Sequence, residues 1–166
     1  AYSQGFSPKP KLAFSPALSV GIESRAEYFD VTLIGVHAPQ DFEAAAGPQL
    51  PPGLRLMQVE PAPNSSLNAM TGATTFAVEL PTDALPALDE AMSRFATAER
   101  WPVMRQYDGH ERELDLKHFV RGLTRTEAGL RLELLQGGAR PGDVVRSLVG
   151  CEATRLVKES VRLGVV

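Results

Sequence analysis

Cysteine is all but missing: Cys151 stands alone in 166 residues. A single thiol cannot close an intramolecular disulfide, and it cannot by itself hold a zinc ion or an iron–sulfur cluster. A reducing cytoplasm is the expected setting. Positive charge is not in excess either, since 17 Lys and Arg stand against 20 Asp and Glu, a formal net charge of -3. No global basic field advertises a nucleic acid or an anionic membrane, so any such binding must use a local patch. No apolar run approaches the roughly 20 residues that span a bilayer, and no charged segment followed by an apolar one marks a secretory signal. Histidines are few, and His37, His110 and His118 are scattered with no HxxxH or HExxH spacing; a metal site is therefore not expected. P-loop, GxGxxG and GxSxG motifs are also missing.

What is present is a globular composition, 43% hydrophobic, in which apolar residues repeat with two periods. Pro8 and Pro10 bias the opening segment towards extended geometry. Residues 11–20 read as an irregular strand, 21–27 (GIESRAE) as a polar turn, and 28–36 (YFDVTLIGV) as a strand that completes a hairpin. PQDFEAAA (39–46) has proline early and acids in its first turn, which predicts a short helix. LRLMQVE (54–60) alternates as a third strand. PAPNSSLNAMTG (61–72) is rich in breakers and is placed, over 63–72, as an interdomain linker. Beyond it ATTFAVEL (73–80) predicts a strand, and residues 81–98 a helix capped by Thr82 or Asp83 with Leu85, Leu88, Met92 and Phe95 near one face. Asp108-Gly109 is a hairpin turn between strands at 100–107 and 112–123. A strand at 129–136, a short helix at 140–150 and a last strand at 154–166 follow.

The second half thus runs strand, helix, strand, strand, helix, strand, with an extra strand near 100–107. That order is the split βαβ plan. The expected fold is α+β, with two tandem ferredoxin-like units: an incomplete one over 1–62 and a complete one over 73–166. The first lacks the opening strand and helix of the plan, so those elements are expected ahead of Ala1.

The run YSQGFSPKPKLAFSPALSVGIESRAEYFDV (2–31) resembles the signature of the radical-SAM-linked protein family, a bacterial domain of unknown function found beside or fused behind a radical SAM protein, often one with a cobalamin-binding domain. Tyr2, Ser3, Gln4, Gly5, Phe6, Pro8, Pro10 and Lys11 carry the likeness, followed by Gly21, Glu23, Ser24, Glu27 and Tyr28. Ser7 and Lys9 depart from it, standing where asparagine and histidine are usual. RELDLKHFV (112–120), with Asp115 at its centre, and ARPGDVV (139–145) extend the resemblance more weakly. It implies a radical SAM protein as partner, with the iron–sulfur cluster and S-adenosylmethionine on that partner and no cofactor in this chain.

The candidate ligand residues are Tyr2, Ser3, Gln4, Gly5, Phe6, Lys9 and Lys11 in the opening loop, Glu23 in the GIESRAE turn, and Lys117 and Arg121. Aromatic rings that stack and cations that meet phosphate suit single-stranded RNA, tRNA among them; an ordinary helix-to-strand connection with Phe6 in the core is the plainer alternative. Lys117 and Arg121, four apart, are expected on one strand face, within a basic group that also includes Arg112, Arg125 and Arg131. Glu23 with Glu27 has the composition of an acid–base pair, although capping the turn or pairing with Arg25 is the commoner fate. Gly137-Gly138 before Arg140-Pro141 is read as a strand-to-helix turn, with an anion nest as the lesser alternative. Three functions are carried forward: a non-catalytic recognition domain presenting substrate, RNA among the candidates, to a radical SAM enzyme; an adaptor that docks that enzyme through the open edge of its first sheet; and a hydrolase or transferase using Glu23 or Asp115.

Overall fold

Leu130, Leu132 and Leu134 alternate with Arg131, Glu133 and Leu135, a period of two that buries every second side chain. That stretch is the strand Gly129–Leu135 (β8). The computed structural model describes residues 2, 4, 9, 11–62, 67 and 71–163. In chain order the remaining strands are Leu12–Phe14 (β1), Glu23–Ser24 (β2), Phe29–Val31 (β3), Thr71–Glu79 (β4), Pro102–Tyr107 (β5), His110–Asp115 (β6), Val120–Thr126 (β7) and Arg155–Leu163 (β9). The helices are Pro39–Ala46 (α1), Leu85–Thr97 (α2) and Pro141–Val149 (α3), a mixed α+β architecture.

The chain separates into two compact units, one of Ala1–Ser15 and Tyr28–Asn68, the other of Pro16–Glu27 and Ala69–Val166. In the second, five strands order as β2-β9-β4-β8-β7. β4 and β7, joined through α2, are separated by β8; β8 and β9, joined through α3, are separated by β4. All neighbours are antiparallel except β2, which lies parallel to β9. Leu88, Ala91 and Phe95 of α2, and Val144, Val145 and Leu148 of α3, close over Phe76, Val78 and the three leucines of β8. The apolar stripe read from Leu85 to Phe95 is thus the packed face of α2. No side chain caps the helix; a 3-10 turn over Thr82–Ala84 leads into it, with Pro86 in the first turn where its missing N–H costs nothing. Gly150, left-handed at φ 74°, ends α3 as a glycine C-cap does.

β5 and β6 pair with each other as a separate hairpin. Its turn is Asp108-Gly109, both with positive φ, the type I′ geometry that this dipeptide favours. The single strand expected over 112–123 is interrupted: Leu116–His118 is a 3-10 turn whose cap, Asp115, accepts from the Lys117 backbone N–H. In the first unit β1 and β3 form an antiparallel pair, Leu12 to Val31 and Phe14 to Phe29. No residue of α1 is buried. The third strand expected at 54–60 does not form; those residues have no regular structure, and Leu54 and Met57 are exposed. Alternation can mark a strand, but a ladder partner must complete it. Most of the 63–72 linker lies outside the described residues, while Thr71 and Gly72 already belong to β4. Among the described residues no helix is long and apolar enough to cross a membrane.

Candidate functional site

Among the described residues β7 forms one edge of the five-stranded sheet, and beside it runs α2. Between them lies an open groove of about 490 Å³ whose lining includes Asp89, Met92 and Phe95 from the helix, and Val120, Arg121 and Leu123 from the strand. The groove exists because α2 packs Leu88, Ala91 and Phe95 inward, leaving Met92 and Ser93 towards the edge.

Arg121 also lines it, at a bulge in β7. Val120 pairs with Leu134 and Gly122 with Glu133, so β7 spends two steps where β8 spends one and Arg121 is the extra residue. Among the described residues Arg121 has no ion pair or side-chain hydrogen bond. Lys117 lines the same groove from the 3-10 turn. Its ammonium donates to the carbonyls of Phe95 at 2.8 Å and Ala96 at 3.3 Å, and lies 4.7 Å from the Phe95 ring centroid. These are the last carbonyls of α2, where a cation offsets the helix dipole. Lys117 and Arg121 therefore do not share a strand face as expected. A turn and a bulge intervene, and the two meet instead around one groove.

The other basic residues are dispersed. Arg125 pairs at 3.4 Å with Asp89, which lines the groove, and donates to the Thr126 and Gly129 carbonyls. Arg131 pairs with Glu159 at 3.0 Å. Arg112 is exposed on β6, opposite Arg105.

The carboxylates considered for catalysis hold the fold together. Glu23 receives both Nε and Nη2 of Arg155 at 2.8 Å, and Arg155 also reaches Glu79 at 3.0 Å. Donation by Arg155 holds the Glu23 carboxyl below its usual range, and Glu23 and then Glu79 raise Arg155. Glu23 thus takes Arg155 as its partner rather than Arg25. Glu27 accepts from Lys158, buried on β9, at 2.8 Å and from Ser24 at 2.6 Å. Asp115 accepts from the Trp101 N–H at 2.9 Å, the Lys117 N–H at 3.1 Å and Arg100 Nε at 3.3 Å. The Trp101 N–H is the main reason its carboxyl sits below the ordinary range.

In the opening loop, Tyr2, Gln4, Lys9 and Lys11 are exposed; Ser3, Gly5 and Phe6 lie outside the described residues. Gly137 and Gly138 pack on the Phe119 ring, and the Gly138 carbonyl accepts from Arg105. Among the described residues no three His, Cys, Asp or Glu side chains form a metal-binding group. The groove itself was not legible in the sequence. Its one local signal is Gly122 between Val120 and Leu123, a glycine inside a strand pattern that marks a bulge or a close approach.

The protein is thus an α+β molecule with an open, one-sidedly cationic groove at a sheet edge. It belongs to a bacterial family described as an uncharacterized protein conserved in bacteria (DUF2344), whose model matches residues 1–158. No curated protein and no solved structure matches the chain.

Proposed function

We propose that this protein is a recognition domain that supplies binding rather than chemistry, and that it serves a radical SAM enzyme in the cytoplasm. One observation carries the reading: Glu23 and Asp115 already have both carboxylate oxygens engaged by structural donors, whereas Arg121 lines an open groove with no acceptor among the described residues. A general acid or base must be free to exchange a proton with substrate. The partner is suggested by the resemblance carried by residues 2–31. The iron–sulfur cluster and S-adenosylmethionine belong to that partner, because Cys151 alone cannot ligate a cluster. The order β9-β4-β8-β7 with α2 and α3 supports a ferredoxin-like second unit; β1, β3 and α1 are assigned to a second copy of the plan. The test is copurification of the tagged chain with a radical SAM protein of the kind the resemblance implies. A stable complex is expected, and failure to associate overturns the reading.

RNA is a second reading with its own observation. Phe14 and Phe29 are cross-strand neighbours with ring centroids 6.1 Å apart, and both are exposed. Lys11 is exposed three residues before Phe14. Exposed rings on a sheet with cations at the margin form a stacking platform for single-stranded bases. Filter binding of bulk tRNA checks it, and no retention at low salt ends it.

A further inference from the structure

We infer that the groove between α2 and β7 takes an extended peptide segment of a partner protein, added as a strand to β7 with an acidic side chain set against Arg121. The inference rests on the recognition reading above and narrows it to one surface and one kind of ligand. β7 ends the sheet, so alternate backbone N–H and C=O groups along its outer edge lack a ladder partner among the described residues. An added strand is the ligand that satisfies such a row. Gly122, whose added Cβ would meet only the Glu133 side chain, at 3.6 Å, leaves the edge low where a second backbone must approach. The apolar floor of Met92, Phe95, Val120 and Leu123 suits every second side chain of an extended chain.

Charge fixes the polarity of the ligand. At one end stand Arg121, its guanidinium unmatched among the described residues, and the Lys117 ammonium; at the other, Asp89 is already neutralised by Arg125. An acid at the Arg121 end gains a bidentate partner, whereas a lysine there meets like charge. A nucleic acid fits this groove less well. The Phe95 ring that a base would stack on is covered by Lys117 at 4.7 Å and flanked by Trp101 at 5.2 Å between centroids. A single unmatched arginine also cannot follow a repeating phosphate chain.

The test uses the full chain and fluorescein-labelled hexapeptides of alternating valine and threonine that end in glutamate or in lysine, read by anisotropy and by amide NMR. The glutamate peptide is expected to bind at least about tenfold more tightly than the lysine peptide, with shifts on Leu123–Thr126 and loss of binding when its backbone is N-methylated at alternate amides. Arg121→Gln should erase the preference and Arg121→Glu should invert it, with Trp101 fluorescence confirming that both variants fold. Equal affinity for the two peptides, shifts away from β7, or no saturation at millimolar peptide overturns the inference. So does Arg121-dependent binding of an oligouridylate in the absence of peptide binding. Peptide binding in a chain that fails to copurify with such a radical SAM protein would remove the earlier reading and leave this one standing.

Discussion

At Gly129 a single methyl group decides whether two strands can pair. A Cβ there would lie 2.2 Å from the Val78 carbonyl oxygen, in the backbone of the neighbouring strand, with nothing flexible to yield. Gly129→Ala is expected to cost about 1–3 kcal/mol, the range for overpacking a tight site. Denaturant unfolding followed by Trp101 fluorescence measures it, and an unchanged midpoint would contradict the geometry. Asp115 makes the complementary case. The sequence singled it out, but a carboxylate that caps a turn and one that catalyses look alike in a string of letters; the Trp101 and Lys117 N–H groups distinguish them. Its folded pKa is depressed, so its contribution is complete above the unfolded carboxylate range and is lost as pH falls through the folded value. Glu23 acts in the same direction through Arg155. Stability should therefore decline on acidification below the ordinary carboxylate range. In the double variant Asp115→Asn, Glu23→Gln that decline should be shallower and start from a lower plateau; an identical pH profile would show that neither group carries it.

Among the elements, what was legible followed from local order. The Leu85–Phe95 stripe makes α2, Asp108-Gly109 makes the β5–β6 turn, and proline near the start with glycine at the end brackets α3. What was not legible depends on distant partners. Residues 54–60 alternate yet form no strand, and Glu23–Ser24, only two residues long, forms one because Val157 and Lys158 lie alongside. The bulge at Arg121 defeats the period of two, since one inserted residue moves every later side chain to the opposite face. The elements also differ in support. β4 and β8 are central strands over a core containing Leu88, Leu116 and Leu132, whereas α1 buries none of its residues and Leu12 and Phe14 of β1 are exposed. Amides of Leu12–Phe14 and Phe29–Val31 should exchange with solvent faster than those of β4 and β8, since local opening follows buried contact. Equal protection in both sets, read by hydrogen exchange, would contradict this.

Over the whole molecule, charge limits how a nucleic acid could bind. With a formal net charge of -3 the average field opposes a polyanion, so phosphate contacts must come from individual cations. Of the five basic residues grouped in the sequence, Arg125 and Arg131 are paired with acids and Lys117 caps α2, which leaves Arg112 and Arg121. Lys11, in the other unit, adds a third exposed cation. Each phosphate contact to a single strand contributes roughly -0.7 to the slope of log K against log salt, so even all three cations give a slope no steeper than about -2. If the chain binds tRNA, its salt series should show that shallow dependence, and Lys11→Ala should flatten it by one contact's worth. A slope steeper than about -5 would require more phosphate contacts than these cations supply, and would refute the assignment of RNA binding to them. Binding dominated by stacking should instead fall sharply when Phe14 is replaced by alanine while the salt slope stays unchanged. The pair of variants therefore separates charge from stacking in a protein whose overall charge favours neither.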